Sequence, residues 1–137
     1  MNKSNIIKKG REVLNTEAGA IRNLSKGLDQ NFIKAVNLII KLEGKLILSG
    51  VGKSGNIANK LASSFTSTGV PSIYLNPVDA SHGDMGIVSQ GDVLIVLSNS
   101  GESYELSTLI NFAKKKKIRI ISITSNKKSL LSKNADV

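Results

Sequence analysis

The stretch LILSGVGKSGN, Leu46–Asn56, joins three parts of an α/β fold: an apolar run, a glycine-rich turn and the start of a helix. The apolar run has the length of a buried strand and ends at Gly50, and helical spacing of apolar residues follows from Ser54 to Ser67. A turn between a buried strand and a helix is a common place for a phosphate group. The stretch therefore raises the question of which phosphate, if any, this loop holds.

The same alternation of short apolar strands and helices continues outward from this stretch. Strands are predicted at KLILSG, PSIYL, DVLIVLS and IRIISIT, and helices over about 3–28, 30–42, 54–67 and 105–116 and from 129 onward. This order indicates right-handed βαβ units and a parallel sheet that is covered by helices on both faces. We predict an α/β fold in which two N-terminal helices (1–43) precede a parallel α/β part (44–137). The final ADV has the pattern of a further strand.

Composition limits the protein class. The chain has 137 residues, no cysteine and 40% hydrophobic residues, which suits one domain with an aliphatic core and excludes disulfides and thiolate metal sites. No segment has the length of a signal peptide's apolar region or of a membrane span, so we expect a cytoplasmic protein without a membrane partner.

The net charge is +9, but only 4% of the residues are aromatic, and none is interleaved with the cations as in single-strand binders. The run Lys114–Lys117 fits the solvated C-terminal end of a helix. We therefore expect no nucleic-acid partner. In the first helix, Ile7, Leu14, Ile21 and Leu28 recur every seven residues, which is typical of packing against another helix, either of this chain or of a second subunit.

The Gly-Lys-Ser sequence does not fit nucleotide binding. A Walker A loop needs a first glycine where this chain has Ile47, inside the strand, and a magnesium-binding acid where the third strand ends in Ser98. The dinucleotide motif fails because GVGKSG reaches Gly55 one residue too early, and no acid follows at about 20 residues.

A site for a single phosphate remains. Two polar loops follow the first and third strands, and the carboxyl ends of parallel strands lie at the same sheet edge. Each loop alone is also explained by a helix N-cap with a tight turn, but together they favour a phosphorylated metabolite held by hydroxyls and amides, without magnesium or another cofactor. The candidate binding residues on this reasoning are Gly50, Gly52, Ser54, Ser98, Ser100, Gly101 and Ser103.

Four side chains are candidates for chemistry. Lys53 could offset phosphate or oxyanion charge, and Glu102 or Glu105 could take a proton from the carbon next to a carbonyl, although acids in a first helical turn are also ordinary dipole partners. His82 lies in DASHGDMG, where two glycines indicate an unusual loop. His82 and Asp84 are candidate metal ligands, but no third ligand stands at a recognisable spacing, so no metal is predicted.

The segments GVGKSG, STGVPSIYLNPVDASHGDMG and VLSNSGESYEL closely resemble sugar isomerase (SIS) domains of the arabinose-5-phosphate isomerase type. The resemblance covers essentially the whole chain. It implies a flavodoxin-like, three-layer αβα sandwich that interconverts D-ribulose 5-phosphate and D-arabinose 5-phosphate, a step toward the lipopolysaccharide sugar Kdo. It also implies a cis-enediol mechanism without a redox cofactor, and tetramers.

By the same resemblance, Lys53, His82 and Glu105 match catalytic positions. Lys53 would stabilise the enediolate, Glu105 would serve in acid–base transfer or ring opening, and His82 would line the pocket. The phosphate would meet the loop at Ser54 and the segment Ser98–Ser103, which adds Asn99 and Glu102 to the binding residues.

Full-length members of that family continue past Val137 with the rest of the domain, a further catalytic Glu and His, and in most cases two CBS domains. The resemblance thus implies a SIS domain without its C-terminal part, with an incomplete sheet and no CBS domains. The chain would be a deliberately shortened one, a fragment of a split or decayed gene, or a subunit completed by another polypeptide. The alternatives to an active isomerase are a phosphosugar-binding module without catalysis and an inactive fragment.

Overall fold

The computed structural model describes residues 2–137 and contains six α-helices and four strands over that range. Almost every predicted element is present within one or two residues of its expected bounds. In chain order they are α1 (Lys3–Lys26), α2 (Gln30–Ile40), β1 (Leu46–Gly50), α3 (Lys53–Ser67), β2 (Ser72–Tyr74), α4 (Pro77–Ser81), β3 (Val93–Leu97), α5 (Tyr104–Lys115), β4 (Arg119–Ile123) and α6 (Leu130–Asn134).

The chain forms two compact units, one up to Ile33 and one from Lys34 to Val137. The first consists mainly of α1, which Asn2 caps through its side chain and which has no buried residue. The predicted division at residues 43 and 44 stays a prediction. None of the helices among residues 2–137 is long and apolar enough to cross a membrane.

All four strands are parallel and lie in the order β2-β1-β3-β4. The chain leaves β1 in one direction to form β2 and returns on the other side of β1 to form β3. The sheet therefore has its topological switch point between β1 and β3, where folds of this kind bind their ligands. This order confirms the predicted doubly wound α/β architecture.

Helices cover both faces of the sheet and create two apolar clusters. Strand residues alternate between them: Ile47 of β1 joins the cluster with α5 and α6, while Leu46 and Leu48 join the cluster with α3. All residues of β1 and β3 are buried, as expected for strands in the middle of a parallel sheet. Residues of α2 and the following turn also pack against the α3 cluster: Ala35, Leu38, Ile39 and Leu42.

The predicted strand pattern of the final ADV has a partial counterpart. The Val137 N–H donates to the Ile120 carbonyl at 3.3 Å, and the Ser122 N–H donates to the Val137 carbonyl at 2.8 Å. These two bonds are those of a parallel pair. Val137 thus begins to pair with the outer edge of β4, although the segment is not a regular strand.

The segment around DASHGDMG is more regular than the predicted loop. It contains helix α4 and a 3₁₀ helix over Asp84–Ile87. The reason is local, because the Asn76 side chain accepts from the Val78 N–H at 3.0 Å and Pro77 occupies the first helical position. Gly83, between the two helices, has a positive φ of 131°.

Candidate functional site

A groove opens at the carboxyl ends of β1, β3 and β4. It consists of two cavities of about 300 and 250 Å3 that share Ser54, Leu97, Ser98 and Asn99. One cavity is completed by Lys53, Ile57, Ile123, Thr124 and Ser125, and the other by Val51, Ser100 and Ser103. Of the described residues that line this groove, Lys53 alone carries a formal charge.

The first loop, between β1 and α3, depends on two glycines. Gly50 is in tight contact with neighbouring backbone, since a Cβ there would lie 2.9 Å from the Leu97 carbonyl oxygen. Gly52 has φ 58° and ψ −123°, a conformation that residues with a Cβ rarely adopt, and no atom occupies the space where a Cβ would project. The backbone of the first loop is therefore open to a ligand at Gly52.

The helices that begin at the groove have no side-chain caps. Neither Gly52 at the start of α3 nor Ser103 at the start of α5 makes a side-chain capping hydrogen bond. Helices α1, α4 and α6 are capped by Asn2, Asn76 and Ser129. The uncapped N–H groups of α3 and α5 thus stay available for an anion, which the helix dipoles also favour.

The second loop, Ser98–Ser103, has hydroxyls arranged to donate. The Ser98 Oγ accepts from the Gly101 N–H at 3.0 Å, and the Ser100 Oγ accepts from the Glu102 N–H at 3.3 Å. Neither hydroxyl donates to an acceptor among residues 2–137, so each can donate its proton to a ligand in the groove. Gly101 has φ 68° and lies against the side chains of Ser129 and Thr124, so it shapes the loop from behind.

A third loop, after β4, adds Thr124 and Ser125 to the groove, and sequence reasoning did not identify these residues. The Asn99 carbonyl accepts from the Ser125 N–H at 3.2 Å, from the Ser125 Oγ at 2.7 Å and from the Thr124 Oγ1 at 3.2 Å. This loop therefore both lines the site and holds the second loop. The sequence offered one signal for these two residues, which is their position after β4, because β4 ends at the same sheet edge as β1 and β3.

The structure brings together only part of the predicted site. Lys53, Asn99 and all four predicted serines line the groove, and Gly52 directly precedes Lys53. The exposed Glu102 instead accepts, through Oε1, from the Leu130 N–H at 3.0 Å, which ties the second loop to the start of α6. Its predicted role in phosphate binding stays a prediction.

Two predicted catalytic side chains do not line the groove. Glu105 is half-buried in the first turn of α5, and His82 is exposed at the C-terminal end of α4. Their catalytic roles stay predictions. Within residues 2–137, neither His82 nor Asp84 belongs to a group of three or more side chains suited to a metal ion.

Comparisons with known proteins agree with this fold. A family profile described as the SIS domain matches residues 39–137. The Yersinia pestis arabinose 5-phosphate isomerase KdsD is 40% identical over 93% of this chain, and the Escherichia coli arabinose 5-phosphate isomerase KpsF is 43% identical over 92%. The chain spans only 39% of the length of each of these curated relatives.

Solved structures give the same result. An Escherichia coli protein in complex with arabinose 5-phosphate superposes with a TM-score of 0.93 at 35% identity, covering all of this chain and 73% of that protein. A Listeria monocytogenes protein described as a candidate sugar-phosphate isomerase superposes with a TM-score of 0.95, also at 35% identity, over all of this chain and 72% of its own length. Both similarities extend over every element described above.

Proposed function

The chain belongs to the SIS domain family, and from that premise we propose that its groove binds a phosphorylated pentose and interconverts D-ribulose 5-phosphate and D-arabinose 5-phosphate. The names of the relatives from Yersinia pestis and Escherichia coli support this substrate pair. The complex of the Escherichia coli neighbour with arabinose 5-phosphate supports a phosphosugar as the ligand.

One observation carries the proposal: two uncapped helix N-termini and a serine-rich loop meet at one groove. The N–H groups of Gly52, Lys53 and Ser54 have no acceptor among residues 2–137. A phosphate would accept hydrogen bonds from such amides and from the hydroxyls of Ser98–Ser103, at the favourable ends of two helix dipoles. The absence of carboxylates from the groove lining, among the residues that the structure describes, suits an anionic ligand.

The proposed chemistry is a proton transfer between C1 and C2. A base removes a proton from C1 of the ketose, and the electron pair forms an enediolate with its negative charge on O2. Return of a proton to C2, protonation of O2 and loss of the O1 proton give the aldose. Lys53 lines the groove and would stabilise the enediolate charge, Glu105 would act in acid–base transfer or ring opening, and His82 would line the pocket.

The wider setting follows the same proposal. Arabinose 5-phosphate would supply a precursor of Kdo and of lipopolysaccharide in the cytoplasm. The protein would work as a homo-oligomer, a tetramer by family resemblance, with the apolar seam of α1 as a contact. Neither a cofactor nor a nucleic acid takes part in this proposal.

A second candidate is a phosphosugar-binding module without catalysis. Its support is that, of the three predicted catalytic side chains, only Lys53 lines the groove within this chain. The phosphate-binding features need only the first and second loops, so binding would persist without turnover.

An NMR-monitored assay of ribulose 5-phosphate conversion separates the two candidates. The isomerase proposal expects arabinose 5-phosphate to appear with the purified chain. Binding without conversion would favour the module instead. If Ser100→Ala and Lys53→Ala both leave the affinity for the sugar phosphate unchanged, neither function belongs to this groove.

A further inference from the structure

Tyr74 anchors the first loop from a neighbouring strand. It is the last residue of β2, and its Oη donates to the Gly50 carbonyl oxygen at 3.0 Å. Gly50 is the last residue of β1, directly before the turn that leads to α3. A phenol that does not itself line the groove thus fixes the point from which the first loop departs.

The backbone of α3 packs closely against this hydrogen bond. Gly55, in the first turn of α3, lies so close that an added Cβ would be 2.6 Å from the Tyr74 Oη and 2.6 Å from the Gly50 oxygen. The end of β1, the phenol and the start of α3 therefore meet at one contact. Only glycine fits at the point where they touch.

The Tyr74 hydroxyl remains a donor over the whole neutral range. Burial raises the pKa of this phenol above its usual value, and the nearby Asp79 carboxylate raises it further. The protonated form is the one that can donate to a carbonyl.

We propose that Tyr74 is a positioning residue for anion binding: through Gly50 it holds the turn that places the free N–H groups of Gly52, Lys53 and Ser54 at the groove. This inference rests on the proposed function, in which the groove takes a phosphorylated sugar. Without the hydroxyl, the turn loses this hydrogen bond and is less ordered in the free protein. The entropic cost of ordering those amides is then incurred on binding, which lowers the affinity for the sugar phosphate.

The chain offers a matched control because it has only two tyrosines. Tyr104 is 84% exposed, and its hydroxyl has no hydrogen-bond partner among residues 2–137. Both substitutions remove a phenol oxygen. Tyr74→Phe also removes the hydrogen bond to the Gly50 carbonyl, whereas Tyr104→Phe removes no hydrogen bond. Amide hydrogen exchange on the ligand-free chain and calorimetric titration with D-arabinose 5-phosphate are the two measurements.

Tyr74→Phe is expected to bind the sugar phosphate about tenfold more weakly, the equivalent of one hydrogen bond. The amides of Gly55 and Asn56, which donate to the Val51 and Gly52 carbonyls of the first loop, are expected to exchange faster, while those of β3 stay protected. Tyr104→Phe should match the parent chain in both measurements.

Two results would overturn the inference. One is equal affinity of Tyr74→Phe and the parent chain for the sugar phosphate, and the other is equal exchange rates of their Gly55 and Asn56 amides. A parent chain that binds no sugar phosphate would instead overturn the proposed function. Because the exchange measurement needs no ligand, it decides whether Tyr74 holds the loop in that case as well.

Discussion

At the residue scale, Gly52 shows how one backbone conformation opens the site. Its φ of 58° and ψ of −123° are strained for any residue with a Cβ, although the space beside it is empty. We expect Gly52→Ala to destabilise the loop by about 1–3 kcal/mol and to weaken sugar-phosphate binding, through strain rather than collision. Urea denaturation and calorimetric titration measure the two effects.

Gly10→Ala is the control for that substitution. Gly10 lies inside α1, and a Cβ there would meet no atom within 4 Å. Alanine at this position should stabilise α1 by up to about 1 kcal/mol and leave affinity unchanged. An unaltered affinity in Gly52→Ala would show that the loop does not depend on this conformation.

Single residues also mark the limit of what the sequence predicts. The serines of the second loop were found because their spacing before a helix is local information. Thr124 and Ser125 were not found, because their contacts with the Asn99 carbonyl join segments 25 and 26 residues apart. Glu102 was grouped with the phosphate-binding residues through the family resemblance, and in the structure its carboxylate accepts from the Leu130 N–H.

That bond gives a prediction about the second loop. Glu102→Ala removes the acceptor at the start of α6, whereas Glu102→Gln keeps an oxygen at the same place. We expect the alanine variant to lose about 1 kcal/mol of stability and the glutamine variant to lose less, by urea denaturation. Equal losses in both would assign the effect to the charge and not to the hydrogen bond.

At the scale of elements, long apolar strands were predicted correctly because burial on both faces leaves a continuous hydrophobic run. Both β1 and β3 are fully buried in this way. Helix α4 was missed because five residues are too few for a helical period. Its only local signals are the capping Asn76 and Pro77 at the first helical position, which compete with a loop interpretation of the same letters.

The start of β1 is joined to the start of β3 by a partly buried ion pair. The Asp92 carboxylate accepts from the Lys45 Nζ at 2.8 Å, the Lys45 N–H at 2.9 Å and the Ser89 N–H at 2.7 Å. Burial tends to raise the pKa of Asp92, but these bonds and the Lys45 charge outweigh it, so the pKa is lowered. A lowered pKa contributes stability that is present above the unfolded-state pKa and lost as the pH falls through the folded-state value.

We therefore expect Asp92→Asn to reduce the free energy of unfolding by about 2–3 kcal/mol at pH 7, with a difference that shrinks as the pH falls below 3.8, the ordinary pKa of aspartate, toward the lowered folded-state pKa. Urea denaturation at pH 7 and through this acidic range checks this. The exposed pair of Lys9 and Glu12 is the control, since Glu12→Gln should change stability by less than about 1 kcal/mol. A difference that does not shrink in acid would mean that the charge of Asp92 is not what stabilises β1 and β3.

At the scale of the whole molecule, α1 has the composition of an interface helix. Its heptad side chains Ile7, Leu14 and Ile21 are 59%, 67% and 69% exposed, and no residue of α1 is buried. Burying a side chain of this size is worth about 1.5–3 kcal/mol, so a shared seam would supply a substantial association energy. This exposure supports the proposed homo-oligomer, in which α1 would carry the contact.

The double substitution Leu14→Lys and Ile21→Lys should therefore lower the molar mass of the particle, as measured by light scattering after size exclusion. Two charges placed in the seam would have to be desolvated on association, and they would face their own copies in a symmetric contact. Thr16→Lys with Asn23→Lys is the matched control, because each position lies about 200° around the helix from its seam neighbour and adds the same charge on the opposite face. Equal masses for the seam variant and an oligomeric parent chain would exclude α1 from the interface, and a monomeric parent chain would contradict the oligomer itself.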